Sequence, residues 1–328
     1  MLKRGDVVEV RPPAEILATL EADASTGAMP FMPEMLKYSG KRFTVSHRVE
    51  KICDTVSGGP PASLRMQDAV LLDDLRCDGS AHGGCQAGCR LYWKESWLRR
   101  VDPDSTPEAA PDDGALELEA RARAGTKAVR EIDGTPKESY RCQATEAVRA
   151  TKPLRQYDPR PYLRELRSGN VGVLRMLRVA VRAVATKIAR RIHLRPWLPL
   201  KHATTPAPTR GHLNVKPGDT VQVKSAKEIS RTIDERGKTR GLWFDWEMTP
   251  YCGGRYRVQD RVERIIDERN GQMIEIPSDC LILEGVVCSG DRSPGHYCCP
   301  RGTYSYWREA WLRRVGDADP APADAEGP

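Results

Sequence analysis

Ten cysteines carry most of the chemistry open to this chain. Cys53, Cys77, Cys85 and Cys89 lie toward its start, and Cys252, Cys280, Cys288 and the pair Cys298-Cys299 toward its end. Four thiolates are the complement of a closed tetrahedral zinc site, and equally of an iron–sulfur cluster. The densest run is Cys77-Asp78-Gly79-Ser80-Ala81-His82-Gly83-Gly84-Cys85-Gln86-Ala87-Gly88-Cys89. Its glycines let the backbone fold tightly around a small object, and His82 is a further candidate ligand. The gaps are C-x23-C-x7-C-x3-C and C-x27-C-x7-C-x10-C, without a Cys-x-x-Cys knuckle. Ligands so spaced must arrive from separate strands and loops. The reading is one Zn2+ per quartet, held by Cys53, Cys77, Cys85 and Cys89 in the first and by Cys252, Cys280, Cys288 and Cys299 in the second. An iron–sulfur cluster is the alternative, and disulfides or plain buried thiols compete with both. Cys298 is expected to be dispensable, because successive side chains on a strand point to opposite faces. Cys142 has no assigned role.

Other chemistry is thinly supported. Glu34 and Glu247 occupy matched positions, but no second acid, base or nucleophile accompanies both, so a structural hydrogen bond is expected of each. No triad is indicated by His47, His82 or His296. Phosphate-loop, dinucleotide and zinc-protease motifs are absent from the sequence. Trp93 and Trp97, like Trp307 and Trp311, could stack on a base or sugar. As anchors of a small core they have a simpler explanation. These absences point to a binding or scaffold protein rather than an enzyme.

The elements that must position the cysteines occur twice. Tyr92-Trp93-Lys94-Glu95-Ser96-Trp97-Leu98-Arg99-Arg100-Val101 returns as Tyr306-Trp307-Arg308-Glu309-Ala310-Trp311-Leu312-Arg313-Arg314-Val315. Upstream, Gly5-Asp6 matches Gly218-Asp219, Phe31 matches Phe244, Glu34-Met35 matches Glu247-Met248, Cys77 matches Cys288 and Cys85 matches Cys299. A repeat of this kind sets the architecture. Alternation at Val8 and Val10, and at Val221 and Val223, marks a half-buried first strand in each copy. Short apolar runs separated by Gly, Pro and Asp turns supply the others. The expected fold class is mainly β: two homologous small SH3-like β-barrels joined by a linker and an amphipathic α-helical segment. The expected boundaries are a first module over 1–101, a disordered linker over 102–137 and a middle segment over 138–195. A Pro-rich tether over 196–213, a second module over 214–315 and a disordered tail over 316–328 follow.

Within the middle segment, the spacing predicts a helix over 171–194. Leu174, Leu177, Val181, Val184 and Ile188 form one stripe, and Arg175, Arg178, Arg182, Lys187, Arg190 and Arg191 cover the other face. Three readings stay open for it: packing on a barrel, lying on an anionic membrane surface, or binding nucleic-acid phosphates. The net charge of +7 permits an acidic partner without requiring one, since Asp and Glu are interspersed with the cations. A protein partner is the leading expectation, an anionic membrane surface the next, and nucleic acid the third. The start of the chain has no apolar leader and no stretch is long enough to span a bilayer, so a cytoplasmic location is expected, with the inner membrane face as the alternative. In a reducing compartment, metal ligands or free thiols are better readings of the cysteines than disulfides.

Several motifs go together: Arg76 to Cys89 followed by Trp93-Lys94-Glu95, Tyr140 to Glu146, Leu166 to Val171, Tyr251-Cys252-Gly253, Ile265-Ile266-Asp267-Glu268, and Cys299-Pro300-Arg301. In these the chain resembles a bacterial family of duplicated, Cys-rich SH3-like modules. Ser39 departs from the pattern seen as Tyr-Cys-Gly in the second half. The resemblance implies the two-module organisation over nearly the whole ordered chain and implies no activity.

Overall fold

The computed structural model describes residues 1–57, 63–106, 113–155, 158–191, 200, 213–292 and 297–315. Strand predominates over helix, and the chain divides into two compact units. Unit 1 comprises Met1–Arg195, Glu263–Ile276 and Val287–Tyr304. Unit 2 comprises Pro196–Val262, Pro277–Val286 and Ser305–Pro328. Two stretches of the second repeat, one carrying Ile266 and Glu268 and the other Cys288, Cys298 and Cys299, thus belong to unit 1.

Unit 1 is built on an antiparallel sheet of β1 (Val7–Val10), β2 (Arg42–Arg48), β3 (Ala69–Arg76), β4 (Arg90–Lys94) and β5 (Leu98–Arg100), in the order β4-β3-β2-β1-β5. The alternating valines pair as expected, with Val8 opposite Phe43 and Arg100. Val8, Val10, Val45, Leu71, Trp93 and Trp97 are fully buried in one core. Burial of Trp93 and Trp97 removes them as stacking platforms. Trp97 meets Phe31 edge to face at 5.2 Å, and its indole N–H donates to Thr26 Oγ1 at 3.1 Å.

Unit 2 repeats the plan with β6 (Thr220–Val223), β7 (Arg255–Arg261), β8 (Leu281–Val287), β9 (Tyr304–Trp307) and β10 (Leu312–Arg314), in the order β9-β8-β7-β6-β10. Its core holds Val221, Val223, Phe244, Trp307 and Trp311.

The helices of unit 1 are α1 (Pro13–Thr19), α2 (Ala115–Ala124), α3 (Gln143–Glu146), α4 (Arg160–Arg167) and α5 (Val173–Arg191). The expected linker over 102–137 is corrected here. Its described part contains α2, which buries Leu118 and Ala122, and most of an antiparallel hairpin of Lys127–Ile132 with Thr135–Tyr140. The hairpin turns at Asp133-Gly134, both at positive φ, a pair suited to such a turn. Nearly all of the expected tether and the expected tail lie outside the described residues.

α5 packs through a face other than its Leu/Val stripe. Val173, Leu174, Leu177, Val181, Val184 and Ile188 are 56–73% exposed. The inward side carries Met176 and Val179, packed with Val171, Tyr162, Tyr297 and Cys298. Arg175 also turns inward, to Asp291 at 3.0 Å. The residues expected to be buried therefore form the outer face. No described helix is long and apolar enough to cross a membrane.

Candidate metal centre

The Cys-rich loop leaves β3 at Arg76 and returns to β4 at Arg90. Its ends are tied where Cys77 N–H donates to the Cys89 carbonyl at 2.8 Å. Between them, His82 N–H and Gly84 N–H both donate to the Gly79 carbonyl, at 3.1 and 3.0 Å, closing a tight turn. Gly79 has φ +71°, and a Cβ there would meet the Cys85 carbonyl oxygen at 2.0 Å, so only glycine fits. Lys37 holds the rim through Asp78 at 2.8 Å.

This turn drives His82 inward, against the short helix Pro33–Tyr38 that carries Glu34. Cys77 Sγ lies 3.1 Å from Glu34 Oε1 and 3.3 Å from His82 Nε2. His82 Nδ1 is 3.9 Å from Glu34 Oε1. The side chains of Glu34 and His82 are buried, and Glu34 Oε2 and His82 Nδ1 have no hydrogen-bond partner. Buried polar atoms left unmatched are costly, and each of these two calls for a partner. Burial, the Glu34 carboxylate and the neighbouring Cys89 push the Cys77 thiol far above its ordinary range. Burial likewise pulls His82 down, against the opposing pull of Glu34 and Asp78, which favours the neutral imidazole that a metal requires.

Cys77 and His82 share a cavity of about 30 Å3 with Cys85, Cys89 and Cys142. Burial raises Cys89 to about 12 and Cys142 to about 11. Cys142 precedes α3, and α3 is fixed by Gln143, whose side chain accepts from Tyr92 N–H at 2.7 Å and donates to the Tyr92 carbonyl at 2.8 Å. The second repeat supplies another wall, Ile266 and Glu268. Ile266 N–H donates to Cys85 Sγ at 3.3 Å, and Gln86 Oε1 accepts from Glu263 and Arg264 N–H.

No protein-family model, curated protein or solved structure matches this chain. The site must therefore be read from its own geometry.

That geometry regroups the eight cysteines expected as ligands. Cys77, Cys85 and Cys89 line one cavity. Cys53 instead stands beside Cys299, with the two sulfurs 3.3 Å apart. Cys142, unassigned from sequence, lines the cavity in which Cys53 was expected. Cys252 and Cys280 belong to unit 2, whereas Cys288 and Cys299 belong to unit 1. Cys299 joins the main core of unit 1, while Cys298 joins the small cluster under α5. Glu34 was read as a structural hydrogen-bonder. In the fold it forms, with Cys77 and His82, the one three-membered group of metal-binding character among the described residues. The signal for it was available: Glu34 is an acid in an otherwise apolar stretch, and such residues stay buried only with a partner.

Proposed function

We propose that this protein is a non-enzymatic binding or scaffold protein on two SH3-like barrels, with unit 1 tied by one Zn2+ ion at Glu34, Cys77 and His82. These three residues are the group whose ligand atoms come together. The observation that carries this reading is the buried Glu–Cys–His group with its two unmatched polar atoms. A mixed oxygen, sulfur and nitrogen donor set suits zinc. Metal analysis of anaerobically purified protein tests the reading. Zinc that is lost in Cys77→Ser supports it. A brown protein with iron and visible absorption would favour the cluster instead.

The outer face of α5 favours a second reading, that the surface bound is an anionic membrane. Six large apolar residues face outward on a helix without Asp or Glu, and Arg178 and Arg191 are exposed. An interfacial helix uses both features, burying its apolar face while each cation near anionic lipid adds about 1 kcal/mol. Nucleic acid would use only the cations and leave the apolar face wet. Flotation with phosphatidylserine vesicles decides the matter. Wild type should float and Leu177→Asp with Val181→Asp should not. Wild type remaining at the bottom would remove the membrane reading.

A further inference from the structure

Residues 51–55 and 297–301 run side by side in unit 1 at a constant offset. Lys51 Nζ donates to the Tyr297 carbonyl, Cys53 N–H donates to Cys299 Sγ at 3.2 Å, and Arg301 Nη1 donates to Thr55 Oγ1 at 2.7 Å. Each tie joins residues 246 apart, and the ties recur at every second residue. Arg301 is buried and is also held by Glu268 Oε1 at 2.6 Å. The central rung therefore has a brace on either side. At that rung the two sulfurs need approach only about 1.2 Å further to reach bonding distance.

We propose that Cys299 is an oxidation site and Cys53 its resolving thiol, which hydroperoxides convert to a disulfide joining the two repeats. The Cys299 thiolate attacks the terminal peroxide oxygen. The O–O bond breaks, the alkoxide or hydroxide leaves and takes up a proton, and Cys299 becomes a sulfenic acid. Cys53 then attacks the Cys299 sulfur. The S–O bond breaks, and the departing hydroxide leaves as water with the proton from Cys53. Two thiols are thus oxidised by two electrons, and one hydroperoxide is reduced to an alcohol and water.

The surroundings give the two sulfurs different roles. Burial opposes ionisation of Cys299, but hydrogen bonding with Cys53, whose backbone N–H donates to Cys299 Sγ, and the nearness of Arg301 hold it below its ordinary value. Cys53, hydrogen-bonded to Cys299 and buried, is raised and keeps its proton until it attacks. A low-pKa thiol beside a resolving thiol is the arrangement of a redox-sensitive pair. Both sulfurs are buried, so a small hydroperoxide is a better fit than a bulky disulfide. This inference does not depend on the metal reading, since neither Cys53 nor Cys299 belongs to the Glu34–Cys77–His82 group.

The test is peptide mapping of the reduced full-length protein after treatment with hydrogen peroxide, without added reductant. The expected result is a peptide linking Cys53 to Cys299, the loss of two of the ten free thiols, and unchanged metal content. In Cys53→Ser, Cys299 should be trapped by dimedone as the sulfenic acid. In Cys299→Ser, oxidation of Cys53 should slow about tenfold. Absence of the 53–299 link in wild type would overturn the proposal. So would earlier oxidation of Cys142, or release of metal in step with the link, which would make the pair metal ligands.

Discussion

The two units share a scaffold and differ in what their loops hold. Both place five strands in the same order. Phe31 meets Trp97 at 5.2 Å and 89°, and Phe244 meets Trp311 at 5.3 Å and 90°. Each second tryptophan donates to a threonine of a matched short hairpin, Thr26 or Thr239. Each sheet also keeps a matched ion pair, Arg48 with Glu95 and Arg261 with Glu309. The candidate metal site is not matched in this way. Glu247, Cys288 and, in the register that matches Cys85 with Cys299, His296 stand at the positions of Glu34, Cys77 and His82, but the stretch bearing Cys288 belongs to unit 1 and His296 lies outside the described residues. What the core requires is kept in both copies. What a loop carries is free to diverge.

If the scaffolds are equivalent, Trp97→Ala and Trp311→Ala should cost alike, about 3–5 kcal/mol each, and each should unfold its own unit first. Denaturant unfolding followed by amide exchange would show it. A much smaller loss in one unit would mean that its core is built differently.

A second test concerns a group in unit 1. Glu165 is buried, and burial together with nearby Glu50 raises it to about 8, despite the hydrogen bond from Asn170 at 2.7 Å. The folded state therefore holds a proton that the unfolded chain releases near its ordinary value of 4.5. This contribution is fully present below about pH 4.5 and is lost as pH rises toward 8, with a slope of up to about 1.4 kcal/mol per pH unit. Glu165→Gln should flatten this slope for unit 1 in denaturation curves measured across that range. An unchanged slope would place its origin elsewhere.

The smallest expected difference lies at the helix after the first strand of each sheet. In unit 2 this is α6 (Ala226–Ser230), where Ser225 Oγ accepts from Glu228 N–H and Glu228 in turn accepts from Ser225 N–H. In unit 1, α1 starts at Pro13 and has no side-chain cap. Ser225→Ala should cost unit 2 about 1 kcal/mol, read as a lower denaturation midpoint, while Pro12→Ala should leave the start of α1 without a lost cap.

The legible parts of the sequence were those with a period or a duplicate. The alternating valines and paired tryptophans announced two β modules and a buried role for the aromatics. Residues 127–137 were read as linker because their charges and Pro136 masked the alternation, although Asp133-Gly134 was a strong hairpin signal. The α5 stripe was legible as a helix face, but periodicity cannot say which face turns inward when Met176 and Val179 compete with it. The cysteine groupings were hidden because contacts such as Cys53 with Cys299 depend on long-range chain crossing. Spacing within a module cannot express that.

The proposed asymmetry is a metal ion at Glu34, Cys77 and His82 in unit 1 and none at the second expected quartet. Native mass spectrometry of the anaerobically purified chain measures this directly. One zinc ion per chain, lost in His82→Ala and kept in Cys280→Ser, is the predicted result. Two ions per chain, or one that disappears with Cys280 and survives without His82, would contradict it.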